Sequence, residues 1–462
     1  MALAVLLLVP LLTLGAILLV LRSDTGTAWL LDRVPGLDIT AGQGSLLAEW
    51  RAEALHWRGY GITLELREPE LAWSPSCLLH KQLCFDRLRA NHIDLATAPA
   101  SEAAPASPVR LPAIDIPLAL RIADVRLGPF DLNGDRVWDR FELDGGGSGA
   151  SWRLDRVHVR AGEIAVTASG RVETRNDWPL DLQVAATLPP PSGDAWRWHL
   201  DLTGSLDALR LNGHSEGYLD AEVNGQVAPL APEIPARLRL TSRHFLAVDT
   251  LPPTLALNDL ALEARGSVAR GFRVTGQAAL PGTRGPVALA LSGRVDSREA
   301  RDLTLELSSG DTGRATVAGR LAWSEALTAQ LQLTLDRFPW FVLVPDMAEP
   351  AVDLQHLTAQ LDWRDNRYQG QLQARTRGPL GEASVSATVA GDTASVRVSE
   401  LTLASEAGAL SGEGQARFDG PVSWQAALTL NGFNPGYWWP ALSARLDGQV
   451  HTEGALAQDG PP

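Results

Sequence analysis

Apolar and polar side chains alternate along most of the chain. Between residues 61 and 67, Ile62, Leu64 and Leu66 are separated by polar residues. A period of two is typical of a β-strand with one dry face and one wet face. Similar runs continue to the end of the chain, and no segment after residue 40 combines a helical period with a helical length. The pattern therefore predicts a mainly β protein and disfavours parallel βαβ folds.

These runs contain apolar positions that we expect on the dry faces of strands, and a dry face must be covered. The pattern leaves two arrangements open. Two sheets can pack face to face in tandem β-sandwiches of about 100 residues, or one sheet can face an apolar ligand such as a lipid. The candidate positions are Ile62, Leu64, Leu66, Leu182, Val184, Leu200, Leu238, Leu240, Leu303, Leu305, Leu331, Leu333, Val396, Leu428 and Leu430.

Two further features recur. Leu240, Leu335 and Leu430 lie 95 residues apart, and each ends an alternating run that precedes a phenylalanine (Phe245, Phe338 and Phe433). This spacing indicates a repeat of that length. A tripeptide of glycine, a polar residue and an apolar residue also recurs, and we expect each copy to open a strand after a turn that needs a permissive backbone. Its glycines are Gly170, Gly225, Gly266, Gly293, Gly319, Gly370, Gly414 and Gly448.

The first 21 residues contain no charged side chain. Twenty helical residues span about 30 Å, the hydrocarbon thickness of a bilayer. A cleavable signal has a shorter apolar core of roughly 7–15 residues. We therefore expect an uncleaved transmembrane anchor, with cleavage near Gly26-Thr27-Ala28 as the alternative. Arg22 and Arg33 follow this segment and no basic residue precedes it, so the charges do not support an orientation with the N-terminus inside.

The chain divides into four predicted segments. Residues 1–22 are the anchor, and residues 23–96 form an N-terminal module. Residues 97–113 are rich in Ala, Pro and Ser, which is typical of a loop or linker. Residues 114–462 form a repetitive β region. A short helix is predicted over residues 24–34, capped by Asp24 or Thr25, with Trp29, Leu30 and Val34 on its apolar side.

Charge and motifs exclude several functional classes. The chain has 54 acidic and 40 basic residues, a net charge of −14, which argues against a nucleic-acid partner. We find no nucleophile elbow, phosphate-binding loop or paired metal-ligand spacing, so no catalytic, metal or cofactor site is predicted. Residues 131–142 have acidic residues at calcium-loop offsets, but Arg136 stands where the sharp turn needs glycine. We interpret this segment as a hairpin turn with solvated acids.

Cys77 and Cys84 are the two cysteines. In one helix they would lie about 10.5 Å apart along the axis, too far to bridge. Across a hairpin they can pair, and an exported chain meets an oxidising compartment. We predict a disulfide, with two buried thiols as the alternative.

The order of several apolar patterns resembles one family. After the apolar start come GTAWLLDRVPGLDITAGQGSLL (26–47), LHWRGYGITLELREPELAWSP (55–75) and LCFDRLRANHIDL (83–95). Together these resemble the N-terminal module of the TamB family, subunits of a translocation and assembly module that fall among the AsmA-like, chorein-type bridge-like lipid transfer proteins. LDRFPWFVLVP (335–345) and LNGFNPGYWWPALSARLDGQVHTEG (430–454) are similar to the family's recurring strand blocks.

The resemblance implies a long curved β-sheet that forms an open hydrophobic trough behind a chorein-like module. It implies a non-catalytic periplasmic bridge that conducts phospholipids between the inner and outer membranes of a Gram-negative bacterium. It also implies single-pass attachment to the inner membrane, the outer-membrane partner TamA and no cofactor. Family members run further, so we expect the chain to be truncated at its C-terminal end. A scaffold for outer-membrane barrel and autotransporter assembly and an anchored β-sandwich adhesin are the alternative functions.

The length of the apolar segment predicts that residues 2–21 stay attached to the mature protein. N-terminal sequencing of protein from the membrane fraction should therefore find the apolar segment. A mature chain that begins near Trp29 would contradict this prediction.

Overall fold

The computed structural model describes residues 22–97, 111–311, 313–324, 326–345, 347–438 and 441–456. The predicted anchor and most of the predicted linker therefore lie outside the described residues, and the four predicted segments stay a prediction. Among the described residues, no helix has the length and apolar character needed to cross a membrane. The chain forms two compact units, Met1–Ile234 and Pro235–Pro462, and each is described here by itself.

One α-helix, α1 (Asp24–Leu31), opens the described part of the first unit. Its N-cap is Ser23, whose hydroxyl oxygen accepts a hydrogen bond from the Gly26 N–H at 3.0 Å. The predicted caps, Asp24 and Thr25, were wrong by one or two positions because both already have helical backbone. The predicted apolar side does not pack, since Trp29 is 54% exposed and the buried residues of α1 are Gly26 and Thr27.

The first unit continues with eighteen strands and a 3-10 helix, Pro75–His80. The strands are β1 (Leu37–Thr40), β2 (Gln43–Gly44), β3 (Glu49–Arg51), β4 (Ala54–Gly59), β5 (Ile62–Arg67), β6 (Glu70–Trp73), β7 (Gln82–Ala90), β8 (His92–Thr97), β9 (Ile116–Leu127), β10 (Phe130–Leu132), β11 (Asp135–Trp138), β12 (Arg140–Gly149), β13 (Ser151–Ala161), β14 (Ile164–Glu173), β15 (Pro179–Leu188), β16 (Trp196–Ser205), β17 (Ala208–Glu216) and β18 (Ala221–Val227).

These strands form two sheets. In each of six successive segments of the chain, one strand belongs to one sheet and the next strand to the other: β1–β2, β3–β4, β5–β6, β7–β8, β9–β10 and β11–β12. One sheet has the order β1-β4-β5-β8-β10-β11. The other has the order β2-β3-β6-β7-β9-β12 and then continues, strand by strand, to β18. Each segment passes from one sheet to the other over a short interruption, as at Glu68, where φ is +47°. The β10–β11 hairpin confirms the predicted hairpin turn, but Asp131 is paired with Arg136 and His92 and is not solvated as predicted.

A disulfide joins Cys77 and Cys84, whose Cα atoms lie 6.0 Å apart. Cys77 belongs to the 3-10 helix between β6 and β7, and Cys84 is a fully buried residue of β7. Lys81 ends the 3-10 helix in a left-handed conformation. The covalent bond therefore closes a tight connection at one end of the larger sheet.

The second unit is a single antiparallel meander in which each strand pairs with its neighbours in sequence. Its strands are β19 (Pro235–Phe245), β20 (Leu257–Ser267), β21 (Gly271–Leu280), β22 (Val287–Val295), β23 (Glu299–Ser309), β24 (Gly313–Ala322), β25 (Thr328–Asp336), β26 (Asp353–Arg364), β27 (Arg367–Gly378), β28 (Gly381–Asp392), β29 (Ser395–Ser405), β30 (Gly408–Arg417), β31 (Ser423–Phe433) and β32 (Leu446–Ala455). Three 3-10 helices lie in its connections: Pro253–Leu255, Trp340–Leu343 and Pro435–Tyr437. The prediction of a mainly β fold is confirmed.

Bulges keep the strand faces consistent. Asp302 has φ +51° between Ala300 and Leu303, which pair with Leu321 and Gly319, two residues apart on β24. Three residue steps along β23 thus match two steps along β24. Ala300 and Leu303 therefore stay on the same face of the sheet. Aspartate tolerates the left-handed conformation better than most residues.

The glycine tripeptides do not open strands, and that prediction was wrong. Most of these glycines lie inside strands, near the strand ends. At Gly293 an added Cβ would come within 2.7 Å of Leu303 Cδ2, and Gly319 pairs directly with Leu303 and Leu331. At Gly319 an added Cβ would clash with the Gln330 carbonyl oxygen, and Gly170, Gly266 and Gly370 face backbone oxygens in the same way. Close approach of a neighbouring backbone therefore explains these glycines better than a turn at the start of a strand does.

Removing the disulfide should destabilise the first unit. The loop it closes is short, and the chain-entropy model gives about 2.5 kcal/mol for its loss. The Cys77→Ala variant is the sharper test, because it keeps the buried Cys84 side chain in place. Urea unfolding of the wild type should shift on adding a reductant, whereas the variant should not respond. Identical midpoints for oxidised and reduced wild type, or two free thiols by mass spectrometry, would contradict the prediction.

Candidate functional site

The apolar positions of the second unit are aligned in register across neighbouring strands. Leu240 pairs with Leu262, Leu291 with Leu305, and Leu333 with both Val317 and Ala359. Paired residues lie on the same face of a sheet, about 4.5–5.5 Å apart. One transverse row can be followed through the pairs from β19 to β28: Leu240, Leu262, Gly276, Leu291, Leu305, Val317, Leu333, Ala359, Leu372 and Ala387.

The face continues to β31. Val385 pairs with Leu403, Leu403 with Leu410, and Leu410 with Leu430. All nine predicted positions of the second unit therefore share one apolar face. They are Leu238, Leu240, Leu303, Leu305, Leu331, Leu333, Val396, Leu428 and Leu430.

The first unit has the same organisation on its own sheets. In the larger sheet Leu182 pairs with Leu202 and Val184 with Leu200. In the six-stranded sheet Leu64 pairs with Trp57 and Leu95, Leu66 pairs with Leu55 and Ile93, and Ile62 lies on the same side of β5. The structure thus brings the predicted positions together within each sheet. That they bind a ligand stays a prediction.

The degree of burial distinguishes the two arrangements that the sequence left open. All fifteen predicted positions are half-buried. Most of them are leucines, which are often fully buried in a closed protein core. In a β-sandwich, residues of the inner faces would be covered by the facing sheet. The second unit is a single meander, and within its described strands the apolar face remains partly accessible. This face is the candidate functional site.

Sequence reasoning missed that loops cover one end of this face. The connection after β25 places Phe338 and Val342, each 3% exposed, against Leu280, Val287 and Ala315. Two other connections hydrogen-bond to its 3-10 helix. The Thr283 N–H donates to the Val342 carbonyl at 2.8 Å, and the Thr254 hydroxyl donates to the Leu343 carbonyl at 2.6 Å. We call this strand end the loop end.

A second cover lies at the loop end after β31. Tyr437 is 1% exposed, and its hydroxyl lies 3.0 Å from the Thr376 hydroxyl. The backbone of Gly378 allows the close approach, because a Cβ there would come within 2.9 Å of the Tyr437 ring. The 95-residue spacing was the signal for these covers, since β19, β25 and β31 are each followed by a connection with a 3-10 helix. The period corresponds to six strands.

In the second unit, the end of the face opposite the loop end carries aromatic side chains. Trp363 and Tyr368 stack across the β26–β27 hairpin with ring centroids 6.3 Å apart. In the first unit, Trp196 and Trp198 begin β16 with centroids 5.5 Å apart. The indole N–H groups of these three tryptophans are buried and have no hydrogen-bond partner among the described parts of the chain. Buried indole N–H groups usually find a partner.

Charged groups of the first unit are mostly satisfied by each other. Among the described residues, His92, Asp94 and Asp131 form one group whose ligand atoms lie within 4.8 Å of one another. Arg136, however, hydrogen-bonds to Asp131 and holds the pKa of that carboxyl below its usual range. His92 Nε2 also lies 3.1 Å from Asp131. Because the Arg136 guanidinium already supplies a positive charge beside Asp131, we do not assign a metal site to this group.

Comparison with known proteins agrees with this architecture. A family model described as the N-terminal domain of TamB matches residues 13–110, 96–349 and 341–460. The translocation and assembly module subunit TamB of Haemophilus influenzae is 25% identical over 209 residues, which cover 42% of this chain. The matched region spans only 16% of that relative. No solved structure matches the chain.

The cover at the loop end should be essential to the second unit. Truncating Phe338 to alanine should cost about 3–5 kcal/mol, as for other buried phenylalanines, because it leaves a cavity beneath the 3-10 helix. Phe418→Ala is the matched control, since Phe418 is 52% exposed in the β30–β31 turn and should change stability by less than about 0.5 kcal/mol. Urea unfolding of both variants tests this, and equal stabilities would contradict it.

Proposed function

Because the chain belongs to the TamB family, we propose that its apolar sheet faces carry the acyl chains of phospholipids, as a non-catalytic part of a bridge between inner and outer membranes. The observation that carries the proposal is the continuous apolar row from β19 to β28, whose leucines and valine stay half-buried. A curved sheet that forms an open trough around the chains is the shape we propose for it.

The energetics favour such a ligand. Burying one methylene is worth about 0.8 kcal/mol, so exposing a sixteen-carbon chain to water costs roughly 13 kcal/mol. A face of Leu, Val and Ala removes much of that cost. It also needs no specific polar site along its length, which is consistent with the lack of a recognisable catalytic motif in the sequence.

Location and partners are further parts of the proposal. We propose that residues 1–22 anchor the chain in the inner membrane and that the sheets lie in the periplasm. The Haemophilus relative is named as a subunit of a translocation and assembly module, and we propose that this chain acts in such a module with TamA. The uncharged first 21 residues and the disulfide are what support an exported, anchored protein.

A scaffold role in outer-membrane barrel assembly is a second candidate. Within the six-stranded sheet, the edge strand β1 pairs with β4 alone among the described strands. An open strand edge can receive a strand from another chain. The β-sandwich adhesin alternative lacks a comparable observation.

Leu333→Asp tests the lipid function. Leu333 lies in the middle of the apolar row, between Val317 and Ala359. A carboxylate there should exclude acyl chains, because burying an unpaired charge is costly. The fold should survive with a loss of about 1 kcal/mol, because the side chain is only half-buried. The measurement is lipid recovered with the purified protein, together with folded yield and outer-membrane integrity.

Gln332→Asp is the matched control, since Gln332 is the exposed neighbour on the opposite face of β25. It should leave lipid recovery unchanged. Unfolding of Leu333→Asp, with no lipid recovered from the wild type, would argue for a closed core instead of a lipid face. Lost barrel assembly with normal lipid recovery in the same variant would favour the scaffold.

A further inference from the structure

Six arginines form one transverse row on the polar face of the second unit. Pairing places five of them directly opposite one another on β19 to β23, and the sixth lies on β24. Arg237 pairs with Arg265, Arg265 with Arg273, Arg273 with Arg294, and Arg294 with Arg301. The β23 bulge after Arg301 faces Arg320. At about 4.8 Å per strand the row spans roughly 24 Å. We call it the arginine row.

The described residues neutralise the row only in part. Like charges directly opposite each other destabilise a sheet. Four carboxylates approach within 4.0 Å of the row, those of Glu263, Asp296, Glu299 and Asp302. Arg237 and Arg273 have no ion-pair partner within the described residues. An excess of positive charge at one place in a chain of net charge −14 indicates a site for an anion.

The position of the row indicates which anion. Its members lie one or two residues from the strand ends opposite the loop end. At the same ends, the last row of the apolar face contains Phe272, Val295 and Leu321. The long aliphatic stem of arginine lets its guanidinium reach past such an end while the charge stays in water. Apolar and cationic groups therefore border the same edge of the sheet.

A cleft continues this edge beyond β24. Its volume is about 1280 Å³, and its lining contains five arginines, Arg320 among them, and three aspartates, together with the stacked Trp363 and Tyr368. Arg320 belongs to the arginine row, so the cleft begins where the row ends. The loop end, in contrast, is closed over the apolar face by Phe338 and Tyr437. A ligand with one apolar and one anionic part fits this asymmetry.

We propose that the arginine row binds the phosphate groups of phospholipids whose acyl chains lie on the apolar face, so that head groups emerge at this edge. The proposal rests on the proposed lipid function and adds the head-group chemistry and the side of the sheet. Arginine suits this role because its planar guanidinium makes paired hydrogen bonds to phosphate oxygens. A site of this kind discriminates between lipids by their phosphate group and not by the length of their acyl chains.

The test compares two fluorescent lipids with identical chains, phosphatidylglycerol and diacylglycerol, for binding to the full chain in nonionic detergent. The wild type should prefer the phospholipid. The variant Arg237→Gln/Arg273→Gln removes the two arginines that have no ion-pair partner among the described residues. Its phospholipid binding should fall at least about fivefold, with diacylglycerol binding unchanged. The preference of the wild type should also fall with added salt.

Arg243→Gln/Arg375→Gln is the matched control, because both residues are exposed on the same sheet but lie outside the row. It should keep the wild-type preference. Equal binding of both lipids by wild type and row variant would overturn the phosphate assignment alone. Lack of binding of either lipid to the wild type would overturn the lipid function and this inference together. Displacement by glycerol phosphate as effective as by phospholipid would replace the lipid site with a free-phosphate site.

Discussion

The register of strand pairing is the constraint on which the rest of this protein depends. Side chains alternate with a period of two, so a slip of one residue would move every leucine of a strand to the polar face. The apolar row through Leu305 and Leu333 exists only because each pair of neighbouring strands holds its register. Bulges such as those at Asp302 and Glu400 restore the match where the strands drift. The same register aligns the arginine row. The apolar row and the arginine row therefore both depend on correct strand pairing.

The two ends of the second unit differ because their connections differ in length. At the loop end, long connections fold back and bury phenylalanine and tyrosine against the sheet. At the other end, short turns such as Asp365–Asn366, both with positive φ, leave the strand ends open. Short turns place charged residues beside the last apolar row. One sheet thereby obtains a covered end and an open, cationic end without any additional domain.

Much of this architecture could be predicted from the sequence, because alternation is a local signal. It identified the strand content and the shared faces of residues such as Leu238 and Leu333. Errors arose where a residue's role depends on its partner across the sheet. Gly319 looked like a turn residue, yet it lies inside β24, where an added Cβ would meet the Gln330 carbonyl oxygen of the next strand. The arginine row could not be predicted either, since its members are far apart in sequence and align only after the register is known.

The strictly consecutive pairing of the second unit has a consequence for how such a sheet changes length. Each described strand of this unit pairs only with the strands before and after it, so the pairing energy is confined to nearest neighbours, as in solenoid repeats. Longer-range coupling runs through the covering connections at the loop end. Duplicating a hairpin of two strands would lengthen the sheet and preserve strand direction, face and end for all that follows. Duplicating a single strand would reverse the direction of every later strand and exchange their covered and open ends. Growth in pairs is therefore the step that this topology tolerates, and the six-strand spacing of the covering connections is a whole number of such pairs.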